Sequence, residues 1–236
     1  MNEQTSELTL QLGSYTLEIP QSILVWFGIC IFFAIFFYIA GKKVEQADPA
    51  KKPQGLVYLA EEMVNLSLFI TGANLKDKVY HYMPYFGTLI FMMVVANLMG
   101  LLGLQNPTSN VSFNGTLALC IFLMVQFHGI TKAGIFARIK ELAQPYVFLF
   151  PLNVIGEIAP VISLTMRLFG NMLAGYIITM LVYSLMKATM PWGVLGYIAT
   201  PFLHMYFDCF SAVIQTFIFF TLGSYFLGEQ VTAQEE

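Results

Sequence analysis

Apolar residues in this chain come in long runs, and the polar residues are gathered between them. The first run, Gln21 to Ala40, is followed by Gly41-Lys42-Lys43 and has about the 20 residues that cross roughly 30 Å of hydrocarbon as a helix, so a span is expected over 21–41. A polar linker with Asp48-Pro49 and Lys52-Pro53 comes next. Over 53–74, Leu56, Leu59, Met63, Leu66 and Ile70 recur at helical spacing with Glu61-Glu62 among them. That pattern predicts an amphipathic helix on the membrane surface. A second span is expected over 83–104 and a third over 111–131, joined by the short polar link Gln105 to Asn110. A basic stretch, Lys132 to Glu141, leads into the last third of the chain.

There the pattern changes. Leu152 to Lys187 is almost wholly apolar, Trp192 to Gly228 is so again, and Pro191-Trp192-Gly193 divides them as a turn. Each run has about 36 residues, or roughly 54 Å as a helix, far more than an upright span needs. Usual tilts of about 20° do not absorb the excess. Either each helix is steeply inclined or it breaks near Pro160 and Pro201. The inclined hairpin, over 146–190 and 192–228, is the reading preferred here. The fold class expected is therefore all-α and polytopic: five membrane-crossing helices and one interfacial helix in a single membrane domain.

Composition agrees. Of 236 residues, 57% are hydrophobic and 11% charged, against roughly a quarter charged in soluble domains. With 11 Lys plus Arg against 14 Asp plus Glu, there is no basic field for nucleic acid. The three cysteines, Cys30, Cys120 and Cys209, lie inside apolar runs without metal or redox spacing and read as small buried residues. Residues 1–20 carry Glu3, Glu7 and Glu18 but no Lys or Arg, the reverse of a secretory signal, so they are read as an outer tail before a retained span. Five crossings with the N-terminus outside place nine basic residues, from Lys42 to Lys140, in two cytoplasmic loops, as the positive-inside rule requires. The C-terminus is then cytoplasmic.

Three ionisable residues fall inside the last hairpin: Glu157, Arg167 and Asp208. A charge at mid-bilayer costs about 2.5–3.5 kcal/mol on insertion scales, and such residues usually face protein or water along an ion path. Ser163, Arg167, Asn171 and Ala174 share one stripe of a helix. His204, Asp208, Ser211 and Gln215 follow i, i+4, i+7, i+11 and share one stripe of its partner. Glu157 lies nearly three turns before Arg167, toward the cytoplasmic end. A purely structural Arg167–Asp208 pair is the plainer alternative. Buried ion pairs are poor sources of net stability, and such a pair leaves the His204–Ser211–Gln215 stripe without a purpose. Glu157 as a carboxylate at the water boundary and His204 as an interfacial residue are the corresponding plain readings. No phosphate loop, CxxC, HExxH or GxSxG is present.

The run Ser163-Leu-Thr-Met-Arg167-Leu-Phe-Gly-Asn171-Met-Leu-Ala-Gly175 resembles the signature of subunit a of the F-type rotary ATP synthase. Pro151-Leu-Asn-Val-Ile-Gly-Glu157 is similar to the family's approach to it, Asn97-Leu-Met-Gly100-Leu-Leu to its second-span motif, and Gln215-Thr-Phe-Ile-Phe219 to its C-terminal block. These motifs run from about residue 97 onward; the earlier part matches in layout alone. Three positions depart from the pattern. Gly103 stands where relatives usually have Pro, Tyr176 where many have Glu or His, and Asp208 where many proton-driven relatives have His or Glu. The altered outer polar pair brings sodium into consideration beside protons.

The resemblance implies a non-catalytic subunit in a bacterial inner membrane, without cofactor or metal. Its implied partners are a ring of c subunits, a b-subunit peripheral stalk and other ATP synthase subunits. Two offset half-channels would serve the ring carboxylates. Arg167 would be the essential cation facing the ring, with Asn171 and Gln215 beside it. Asp208, Ser211, His204 and Tyr176 would belong to the outer path and Glu157 to the inner one. A secondary transporter or channel built on an intramembrane Arg/Asp pair is the competing class. Transporters commonly carry internal repeats, and no convincing repeat relates the halves of this chain.

Overall fold

A computed structural model describes residues 8–12, 15–48, 52–102, 104–144, 146–189, 202 and 205–232. An antiparallel hairpin of β1 (Leu8–Leu12) and β2 (Tyr15–Ile19) comes first, pairing Leu8 with Ile19, Leu10 with Leu17 and Leu12 with Tyr15. The sequence reading left this segment as a tail. Its signal is the strict alternation of apolar and polar residues on either side of Gly13-Ser14, the period of a strand pair.

The helices are α1 (Gln21–Glu45), α2 (Leu56–Leu75), α3 (Val79–Leu98), α4 (Val111–Ala133), α5 (Ile135–Leu142), α6 (Phe150–Thr189) and α7 (Ser211–Thr232). Five helical runs are long and apolar enough to cross a bilayer: α1, α2 continued through α3, α4, α6 and α7. The chain is thus an all-α polytopic membrane protein. The helix α5 forms within the stretch read as a basic loop, entered at Gly134, whose φ of +83° only glycine adopts without strain.

The core gathers on α3, α4 and α7, around Phe86, Ile90, Met93, Ile121, Phe219 and Phe220. α2 packs chiefly on α7 and α3. Its buried positions are Ser67, Ile70, Thr71 and Leu75, whereas Leu59, Leu66 and Phe69 are exposed. Of the apolar stripe legible in the sequence, Leu59 and Leu66 therefore point outward, Leu56 and Met63 are half-buried and Ile70 is buried, beside the inward hydroxyls of Ser67 and Thr71. Small residues permit close approach between helices: a Cβ on Gly228 would collide with the backbone carbonyl oxygen of Asn74. Asn74 Nδ2 also donates to Thr221 O (3.1 Å) and Ser224 Oγ (2.8 Å).

α6 has 40 residues and runs through Pro160 without a break. Among the described residues it packs mainly on α4 and touches α7 over a short stretch. Few positions in its most apolar stretch are fully buried among those residues. The expected turn at Pro191-Trp192-Gly193, Pro201 and His204 lie outside the described residues. Met205–Phe210 forms a π-helical turn ahead of α7.

Candidate functional site

The site grows out of α6. Leu164 and Leu168 are buried against the bundle, and Thr165 between them bonds back to Val161 O at 2.8 Å. Ser163, Asn171 and Ala174 lie on the exposed side. Arg167 sits at the edge between these faces, half-buried. Its Nη1 is enclosed and has no hydrogen-bond partner among the described residues. Buried polar groups are nearly always satisfied, so an arginine with an unused donor is a site waiting for an acceptor.

One turn along, Asn171 Nδ2 donates to Gln215 Oε1 at 2.7 Å, tying α6 to α7. Gln215 is buried, and its own Nε2 has no partner among the described residues. Arg167, Asn171 and Gln215 are thus brought together as the sequence suggested. For Asp208 and Ser211 only the backbone is described, and it amends the expected stripe. An i→i+5 turn inserts about one residue, roughly 100° of rotation, relative to α-helical spacing. The π-helical turn at Met205–Phe210 therefore takes Asp208 out of the seven-residue register with Gln215. Tyr176 is exposed.

Two cavities flank Arg167 along α6. The first, about 190 Å³, is reached from Gly156, Glu157, Pro160 and Leu164, with Gln126 of α4, Arg138 of α5 and Glu229 and Gln230 of α7 on its other walls. The second, about 390 Å³, runs from Phe169 through Asn171 and Tyr176 to Thr179, opposite Asn106 and Ser109. Leu164 and Phe169 are about 7.5 Å apart along the helix axis, and Arg167 stands between them.

Glu157 is not a free carboxylate. Arg138 Nη2 donates to its Oε1 at 2.5 Å and Gln126 Nε2 to its Oε2 at 2.7 Å. Sequence reasoning missed Arg138, which it counted among the loop charges that set orientation; it is in fact buried. It also missed a buried amide and hydroxyl network beside Gln215. Asn97 Oδ1 accepts from Thr108 Oγ1 (2.6 Å), and Asn97 Nδ2 donates to Thr216 Oγ1 (3.3 Å). Asn114 Nδ2 donates to Thr108 O (2.6 Å) and Asn106 Nδ2 to Asn97 O (3.3 Å). The only sequence signal was the presence of Asn97 and Asn114 within apolar runs.

These features define a multi-pass membrane protein with an arginine between two cavities, each lined by apolar side chains and a few polar ones. The family model of the ATP synthase A chain matches residues 22–228, and the chain belongs to that family. It is 28% identical to the ATP synthase subunit a of Rubrobacter xylanophilus, over 96% of this chain and 89% of that one. It is 29% identical to the ATP synthase subunit a of Streptococcus pyogenes serotype M5, over 96% and 97%. Identity to the ATP synthase subunit a 2 of a Bradyrhizobium species is 34%, over 64% and 63%.

Proposed function

We propose that this chain is the ion-translocating stator subunit of an F-type ATP synthase, carrying protons or sodium ions to and from the carboxylates of a c-subunit ring. The observation that supports this most is Arg167 held between two separate cavities, with a donor unused among the described residues, on a helix few of whose apolar residues are fully buried there. Lipid cannot accept that hydrogen bond. A carboxylate on a neighbouring rotor can.

In this reading an ion enters from outside through the cavity beside Asn171 and Tyr176 and neutralises a ring carboxylate, which then moves into lipid. After nearly a full turn it leaves through the cavity at Glu157 toward the cytoplasm. Arg167 keeps the paths apart. An arginine stays cationic inside proteins, so it draws each ionised ring carboxylate to itself, favours release of its ion, and repels a cation that would cross directly. Asn171 and Gln215 hold the α6–α7 contact beside it. Each unit charge that crosses gains about 2.3 kcal/mol per 100 mV, so several crossings must be geared to each nucleotide. The nucleotide chemistry belongs to other subunits, and a b-subunit stalk holds this chain still against them. The N-terminus lies outside and the C-terminus in the cytoplasm of a bacterial inner membrane.

Arg167→Ala is expected to leave the complex assembled and to abolish ATP-driven ion pumping in membrane vesicles. Pumping at the parental rate would refute the proposal. Arg167→Lys is expected to pump poorly, because a lysine lacks the planar fork and is more easily neutralised.

A further inference from the structure

Asn106 has an oxygen that nothing in the fold uses. It lies in the link between α3 and α4, just before the buried Pro107, and is itself 92% buried, being 8% accessible. Its backbone carbonyl accepts from Ser109 N (3.1 Å) and Ser109 Oγ (2.7 Å). Its Nδ2 donates to Asn97 O at 3.3 Å. Those bonds fix the side chain, and Oδ1 is left enclosed without a partner. Gly100 makes the placement feasible: a Cβ there would lie 2.9 Å from Asn106 Nδ2 and 3.3 Å from Oδ1, and the amide would have to shift.

The residue lines the cavity of about 390 Å³ that also takes in Ser109, Asn171 and Tyr176. At about 30 Å³ per liquid water, that space holds several waters. Among the described residues lining it none is charged. Asn171 has committed its amide nitrogen to Gln215. The polar groups on its otherwise apolar walls are neutral amides and hydroxyls, and of these the amide carbonyl oxygen accepts only. It suits a species presenting positive hydrogen or positive charge, and it repels anions.

We propose that Asn106 Oδ1 is the first fixed ligand for the incoming cation, hydronium or hydrated sodium. In this proposal the Asn106–Ser109 turn is the wall that delivers it to Asn171. This rests on the proposed function and names the ligand-bearing residue of its outer cavity. The carbonyl exchanges one water of the ion's shell for itself, so no charge need be formed in the wall.

The test uses the complete ATP synthase in vesicles, with the synthesis rate measured against outer pH and, separately, against outer sodium at fixed membrane potential. Asn106→Leu is expected to raise the outer ion concentration for half-maximal rate by roughly five-fold, about the worth of one neutral hydrogen bond, with a smaller change in maximal rate. A shift in the pH series identifies hydronium, and a shift in the sodium series identifies sodium. A second measurement, read as the change on labelling relative to the same unlabelled variant, is Ser109→Cys in a background with Cys30, Cys120 and Cys209 changed to Ser. A membrane-impermeant cationic thiol reagent added from outside should then block synthesis. An unshifted half-saturation for Asn106→Leu, or full synthesis after complete labelling at position 109, overturns the proposal. If Asn106→Leu fails to assemble, the labelling result alone decides. Should Arg167→Ala still abolish pumping while these tests fail, the stator reading stands and only this assignment falls.

Discussion

At the scale of single residues, what matters is which polar groups inside the bundle are matched and which are not. Arg138 and Glu157 are matched, with Gln126 as a third member. Breaking a fully buried pair costs about 3–5 kcal/mol. Glu157 keeps 27% of its side-chain accessibility, so Arg138→Ala is expected to destabilise the assembled complex by nearer to about 2 kcal/mol. Glu157→Gln in the same chain should recover most of it. Thermal dissociation of the purified complex checks this; equal midpoints for Arg138→Ala and the parent would count against it. Arg167, Asn171 and Gln215 could be read from the chain because an arginine and two amides stand out in apolar runs. Arg138 could not. Its neighbourhood is polar, and only the turn at Gly134 and the short helix α5 carry it back against α4 and α6. Asn106 and Thr108 were hidden likewise, since their partner Asn97 meets them only when the link folds under α3.

At the scale of elements, helix length was legible and contact was not. Long apolar runs announced α6, but its attachment to α4 depends on shape complementarity spread over many side chains. The stripe on α2 was visible too, yet Leu59 and Leu66 turn outward, while Asn74 and the small residues make the tight seam with α7. Gly228 tests that seam. A methyl group there would collide with the Asn74 carbonyl oxygen, and overpacking of this kind costs about 1–3 kcal/mol. Gly228→Ala is therefore expected to lower the dissociation midpoint, whereas Gly72→Ala, with nothing within 4 Å of the added atom, should not. Pro160 has a local effect of a different sort. It lacks an N–H, so the Gly156 carbonyl loses its helical donor, and both residues line the cavity that holds Glu157. A freed carbonyl beside a carboxylate adds a further acceptor to that wall.

At the scale of the molecule, the charge pattern sets the orientation to be tested. Single cysteines placed at Lys140 and at Gln105, in a background without the native three, should react with impermeant reagents from opposite sides of intact cells. Position 140 is expected to be shielded from outside and position 105 open to it. The reverse result would invert the direction of ion flow argued above. The five-run, all-helical architecture followed from hydropathy alone, because backbone groups in lipid must be satisfied within a helix or closed barrel.

The lopsided attachment of α6 has a mechanical corollary. Under the proposed reading, every pull between Arg167 and a passing ring carboxylate is met by an equal recoil on α6. That recoil passes into α4 and, through the Asn171–Gln215 bond, into α7. The seam between α2 and α7, closed to the limit that Gly228 allows, then acts as the rigid abutment behind it. Torque in such a machine is borne by the stationary part, and here the bearing is one exposed helix braced from behind.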